Sequence, residues 1–241
     1  MKANYRLNAN HIESKEINID KNEVLRYLNY KSKDIDETTN EVIKESISEL
    51  KDISELKYVY RIFNIEKNKN RIDFENEFSI TSKDLYKLLE NCEKVAVIAA
   101  TLGLAVEKKI RYYSLSQLSK GIIFDTCATA YIEGLCDYVE EEIAAIAREE
   151  NCGITFRYSP GYGDVPITHQ ADILKSLNAN KLIGLTASDT SILIPRKSVT
   201  AFIGFDKSNS KQTSKSLCSM CGINDNCSFA KEGEICGKKF E

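Results

Sequence analysis

One decapeptide concentrates the residue types that could hold a ligand: Arg157-Tyr-Ser-Pro160-Gly161-Tyr162-Gly163-Asp164-Val165-Pro166. It carries two of the chain's three prolines and two of its eleven glycines, so rigid and permissive backbone alternate within a few residues. Pro160 fixes φ, Gly161 allows the positive φ of a type II turn, and Gly163 lets the backbone pass close to a neighbour. Such a turn offers N–H and C=O groups to a ligand with a guanidinium beside them; taken alone, a Pro-Gly pair reads first as an ordinary connecting turn. The second concentration is Cys218, Cys221, Cys227 and Cys236, spaced Cys-x2-Cys-x5-Cys-x8-Cys. Four thiolates suit zinc or an iron–sulfur cluster, and spacing separates neither from the other nor from metal-free, reduced cysteines.

The usual catalytic sets are hard to assemble. There are two histidines, His11 and His169, so any Ser-His or Cys-His pair depends on one of them. His169 follows Pro166 by three residues and reads as a solvated helix histidine. No P-loop, Gly-x-Gly-x-x-Gly or His-Glu-x-x-His occurs. The chain therefore offers a binding site more readily than a reactive centre. A formal charge of −3 and the lack of a basic stripe with interleaved aromatics exclude a nucleic-acid partner. With 42% hydrophobic and 29% charged residues, no apolar signal core and no run as long as a membrane span, the expectation is a soluble cytoplasmic protein with no membrane partner. In that compartment the tail cysteines point to metal sooner than to disulfides, and Cys92, Cys127, Cys136 and Cys152, in apolar segments, read as small core residues.

The elements that must position the decapeptide follow from periodicity. Helices are expected over 21–30 and 38–54, the latter with Val42, Ile43, Ile47, Leu50 and Ile53 at helical spacing. A period of two over 58–65, a polar turn at 67–70, then Ile72 and Phe74 predict a β-hairpin. A helix over 83–92, capped by Thr81 or Ser82, leads into Val95–Ala100, apolar on both faces and therefore a central strand. Helices at 104–117 and 119–150 follow; Gly121, Ala128, Ala130 and Gly134 on the second read as tight helix-on-sheet packing, and Glu140, Glu141 and Glu142 lie near its far end. A short strand, 153–158, delivers Arg157 to the turn. Pro166 then opens a helix to Leu177. Three strands are expected at 182–186, 191–194 and 198–205, with links too short for parallel crossovers. A polar shift near 206 divides the chain into a domain over 1–205 and a linker with Cys-rich tail over 206–241. The fold class is α+β, a mixed, largely antiparallel sheet flanked by helices.

The decapeptide, the following helix, Ile183-Gly184-Leu185-Thr186 and Ile194-Pro195-Arg196-Lys197-Ser198-Val199-Thr200 together resemble the activation domain of cobalamin-dependent methionine synthase, most closely its short stand-alone form. The upstream strand ending Ala-Ala-Thr-Leu-Gly and the long helix extend the likeness over most of residues 21–205. The resemblance implies S-adenosylmethionine as cofactor, with Arg157, Pro160, Gly161 and Tyr162 contacting it: the guanidinium on the methionyl carboxylate, turn backbone on the adenine edge, the aromatic ring over sugar or sulfonium. It also implies a ligand-facing acid on the long helix, for which Glu133 is the candidate beside its alternative as a solvated helix acid. It further implies a cobalamin supplied by a partner protein and reduced from cobalt(II), its electron coming from a reductase, flavodoxin or ferredoxin. The protein would then only orient methyl donor and acceptor, which accounts for the missing general base. The chain carries no Asp-x-His-x-x-Gly signature, so the corrinoid must arrive on a methionine synthase subunit or other corrinoid protein. It departs from the long enzymes in continuing Gly163-Asp164-Val165-Pro166 where they have Pro-Ala-Cys-Pro, and in lacking a tyrosine-bearing segment after the last strand. In the alternative reading the Cys cluster makes the chain an electron-transfer or adaptor protein and the loop is structural. A conventional methyltransferase would need a glycine-rich nucleotide loop, which is absent.

Overall fold

The computed structural model describes residues 8–13, 16–30 and 35–208. In chain order the elements are β1 (Asn8–Ile12), α1 (Lys21–Tyr27), α2 (Glu37–Ile53), β2 (Leu56–Asn68), β3 (Arg71–Phe74), β4 (Phe78–Thr81), α3 (Lys83–Leu88), β5 (Cys92–Thr101), α4 (Leu104–Ser116), α5 (Leu118–Glu149), β6 (Gly153–Ile154), a 3-10 turn (Ile167–His169), α6 (Gln170–Ser176), α7 (Ala179–Ile183), β7 (Thr186–Ala187), β8 (Leu193–Ile194) and β9 (Ser198–Asp206).

The segment apolar on both faces is the central strand, as its composition predicts. β5 lies between β2, with Tyr60 opposite Ile98, and β9, with Val97 opposite Phe202, in a sheet ordered β4-β3-β2-β5-β9-β6. β1 shares the outer edge of β2 with β3, and every pairing among the described residues is antiparallel. The period of two then sorts side chains between two cores. Tyr58, Tyr60, Ile62, Ala96, Ile98, Ala201 and Ile203 pack beneath α1, α2 and α5. Val59, Phe63, Val95, Val97, Ala99 and Phe202 pack against α3, α6 and α7. This is the α+β fold of a largely antiparallel sheet flanked by helices.

α5 covers one whole face because its buried positions, Phe124, Cys127, Tyr131, Leu135, Val139 and Ile143 among them, recur at helical spacing along 32 residues. Its glycines serve close packing, though against other chain segments rather than the sheet. A Cβ on Gly121 would come within 2.9 Å of the Ser114 backbone, and one on Gly134 within 3.1 Å of the Asn18 carbonyl. Cys92, Cys127, Cys136 and Cys152 are buried free thiols. Ser82 caps α3 by accepting the Leu85 N–H at 2.9 Å.

The last third differs from expectation in several places. The strand expected over 153–158 is β6, Gly153–Ile154 alone, with an isolated bridge from Tyr158 to Phe202 beyond it, and the helix expected after Pro166 begins as a 3-10 turn. Of residues 182–186 only Thr186 is in a strand: Ala179–Ile183 forms α7, burying Ala179 and Ile183 in the second core, and Gly184 ends it at φ +70°. A short apolar run fits either period, and the i, i+4 burial of these two residues settles it for helix. β7 and β8 are reduced to two residues each and form a separate hairpin beside the main sheet. β1 and β4 lie outside the expected hairpin. β4 alternates over four residues after a turn at Glu75 and Asn76 with φ of 52° and 61°, while β1, mostly polar, is a strand because β2 offers it an unpaired edge.

Candidate functional site

The Pro160-Gly161 turn has the geometry its residues predict. Tyr162 N–H donates to the Ser159 carbonyl at 3.1 Å across it, and Gly161 stands at φ +95°. The loop closes on itself, with Gly161 N–H donating to Val165 C=O at 2.9 Å and Val165 N–H to Tyr162 C=O at 3.0 Å. It is tied down by Asp164, whose carboxylate accepts from the Ser82 hydroxyl, from Lys83 N–H at 2.7 Å and from Asp84 N–H at 3.3 Å. Slight burial works against ionisation there, but these hydrogen bonds hold Asp164 below the usual carboxylate range. Gly163, at φ +50°, passes so close to the Tyr158 hydroxyl and the Asp84 carboxylate that a Cβ would collide with both. Burial, with Asp84 and Asp164 nearby, pushes the Tyr158 phenol up to about 12. The freedom expected of Gly163 and Asp164 is thus used to dock the loop on α3.

Arg157 points the other way. Tyr158 packs in the second core with Tyr162 edge-on against it at 6.0 Å, whereas the Arg157 side chain crosses to α5. One terminal nitrogen donates to Asp137 at 2.8 Å and Glu140 at 2.7 Å, the other to Glu133 at 2.9 Å. The sequence-predicted pair Arg157 and Glu133 is therefore brought together, while Pro160, Gly161 and Tyr162 lie on the turn that begins beyond Arg157. Burial by itself would lower the guanidinium's hold on its proton; Cys136 and the carboxylates of Glu140 and Asp137 reverse this and raise it. Burial pushes the Cys136 thiol up to about 12, so it is uncharged at neutral pH and the carboxylates carry the attraction. In this cluster one guanidinium is thus shared by three carboxylates of the same helix. Its mouth is open, for the Glu133 side chain is 44% exposed. Tyr27 of α1 borders it: burial and the charge of Glu133 both raise its phenol.

A second cation faces the same helix. Lys197, on the turn between β8 and β9, donates to Thr129 Oγ1 at 2.7 Å and lies 3.1 Å from Asp125 Oδ1. That turn is fixed: Leu102 N–H donates to the Lys197 carbonyl at 3.0 Å, Ser198 Oγ to the Pro195 carbonyl at 2.7 Å, and Arg196 N–H to Glu107 at 2.8 Å. At 100° per residue, Asp125, Thr129, Glu133 and Glu140 fall within about 80° of one another on α5, a single stripe with Lys197 at one end and Arg157 at the other. Sequence reasoning singled out Glu133 and missed Asp125, Thr129, Asp137 and Lys197. The i, i+4 repetition of Asp125, Thr129, Glu133 and Asp137 was a signal available for three of them. Lys197 comes from a distant turn and gave none.

His169 lies on the 3-10 turn with Nδ1 3.6 Å from Asp172, away from this stripe in sequence and fold. Cys218, Cys221, Cys227 and Cys236 lie outside the described residues. Among the described residues no helix is long and apolar enough to cross a membrane.

No family model matches the chain, and no curated protein does. Among solved structures it is similar to the crystal structure of the MetH reactivation domain bound to AdoHcy, at 16% identity and a TM-score of 0.68, over 97% of this chain and 87% of that one. The fold of this chain is that of the MetH reactivation domain.

Proposed function

We infer that the chain binds S-adenosylmethionine along the α5 stripe, beside the Pro160-Gly161-Tyr162 turn, and presents its methyl group to a corrinoid carried by a separate methionine synthase subunit. The observation that carries this reading is the convergence of Glu133, Asp137 and Glu140 on Arg157, open to solvent at Glu133. The methyl donor has two cationic centres, ammonium and sulfonium, and carboxylates gathered at one solvent-open place suit them. Likeness of fold to a domain bound to AdoHcy supports the same assignment.

The residues divide the work. Arg157 holds Glu133, Asp137 and Glu140 in one geometry, Glu133 takes the ammonium, and the exposed Tyr162 ring flanks the cofactor beside its turn backbone. Bound S-adenosylmethionine would supply an electrophilic methyl group and leave as S-adenosylhomocysteine, and the partner's corrinoid, once reduced from cobalt(II) by one electron from a reductase, flavodoxin or ferredoxin, would supply the electron pair. The chain orients the two, so no proton need move at any of its side chains. The four tail cysteines add thiolate ligands for zinc or an iron–sulfur cluster, an assignment that rests on their spacing alone and is read from metal content and absorbance near 400 nm.

Calorimetry tests the assignment. S-adenosylmethionine should bind more tightly than its uncharged-sulfur product, and Glu133→Gln should weaken S-adenosylmethionine about 10-fold or more. Equal affinity of wild type and Glu133→Gln would remove Glu133 from the site.

A further inference from the structure

We propose that a second copy of this chain covers the corner where α4 meets α5, in a two-fold dimer whose centre is apolar. Of the five most exposed large apolar side chains among the described residues, four lie at this corner: Tyr112 at 57%, Leu115 at 83%, Leu118 at 67% and Ile122 at 55%. Tyr112 and Leu115 are neighbours at i, i+3 on α4, and Leu118 and Ile122 at i, i+4 on α5. The two helices touch here, since a Cβ on Gly121 would come within 2.9 Å of the Ser114 backbone, so the four make one surface. The corner is held firmly. Tyr113, buried beneath it, donates to Glu49 of α2 at 2.7 Å, with Lys109 and Lys120 each 5.0 Å from the centre of its ring. Ile122 is about 16 Å along α5 from Glu133, so this surface is separate from the Arg157 cluster.

The occupant is a second copy because the surface carries its own complement. Beside the leucines lies an open hollow between Val42 and Glu45 of α2 and Leu118 and Lys120 of α5, and Leu115 projects next to it as a knob. A two-fold axis between knob and hollow sets each copy's Leu115 into the other's hollow, against Val42 and Leu118. Charge is distributed to match. Lys108 and Arg111 are exposed on the α4 face that carries Tyr112 and Leu115. Along α2, Glu49 pairs with Lys109 of α4 at 2.5 Å and Glu45 with Lys120 at the hollow at 3.1 Å, so the exposed acids Glu37 and Glu41 lie beyond the hollow, on the side away from α4. The rotation that seats the knobs lays the bases of one copy toward the acids of the other. The area is adequate too. The four apolar side chains expose on the order of 500 Å² between them, and the flanking charges extend this toward the roughly 800 Å² per partner of a standard interface.

Sedimentation equilibrium of the full chain tests this, with no methyl donor present, so its result is independent of the S-adenosylmethionine reading. At about 100 μM, well above the micromolar dissociation constant that an interface of this size gives at its weakest, wild type should have twice the mass of one chain. Leu115→Glu at the knob and Val42→Arg at the wall of the hollow should each give a monomer with the circular dichroism spectrum of wild type. Mixed in equal amounts, the two variants should pair again. One contact then keeps leucine against valine, and the other sets the introduced glutamate against the introduced arginine, a recovery that misfolded variants could not give. Wild type that is monomeric at this concentration would overturn the inference and leave the surface to a different protein. A dimer that survives Leu115→Glu would overturn it by placing the interface elsewhere, and a mixture that stays monomeric would deny the knob its hollow.

Discussion

The two ends of one decapeptide are held by opposite means. At Asp164 a carboxylate accepts hydrogen bonds from Ser82, Lys83 and Asp84 at the start of α3, and Gly163 closes the remaining space against Tyr158. Donors and acceptor are matched there, and the loop is locked. At Arg157 one guanidinium serves three acids, and the Glu133 carboxylate among them faces solvent. Matched groups make a scaffold; a carboxylate kept near solvent beside a shared cation is something a ligand can reach. The separation arises because consecutive residues of an extended segment, here the one pinned to β9 by the Tyr158–Phe202 bridge, point to opposite faces, sending Arg157 to α5 and Tyr158 to the second core.

The comparison breaks most severely at Arg157. Arg157→Gln removes the cation that Glu133, Asp137 and Glu140 share, and a loss of about 3 kcal/mol is expected, near the lower limit for a buried pair because the cluster is partly solvated. For a chain of this size that is a fall of roughly 6 to 12 °C in thermal midpoint, measured by circular dichroism. Unchanged stability would mean that the acids rearrange into water and that the cluster is not a scaffold for anything.

Gly163→Ala comes next, at about 2 kcal/mol, from positive φ together with collision at Tyr158 and Asp84. Denaturant unfolding reads the loss. If this variant proves as stable as wild type, the matched end of the decapeptide is looser than its hydrogen bonds indicate.

The smallest effect is expected for Asp164→Asn, about 0.5 kcal/mol once solvent screening of an exposed carboxylate is allowed for. Its pH dependence sharpens the comparison. Asp164 is depressed in the folded protein, so its contribution is complete above the unfolded aspartate value of about 3.9 and is lost as pH falls through the lower folded value. The stability gap between wild type and Asp164→Asn should thus be full at pH 6 and close under strong acid. A gap that widens on acidification would assign the shift to another group.

What the sequence determined by itself is local. Pro160 and Gly161 specify their turn because ring closure and a missing Cβ restrict φ within the residue itself. Val95–Ala100 specifies a central strand because apolar residues on both faces need cover on both. The helical spacing of α5 specifies which side it buries. The tertiary structure decided the rest. That α7 is a helix depended on which residues of a short apolar run find a core, and that β1 is a strand depended on the open edge of β2. The charge balance of the site depended on Arg157 and Lys197, far apart in the chain, meeting one stripe of one helix. Periodicity tells which face of a helix is polar; only the packing of distant segments tells which charges on that face are answered.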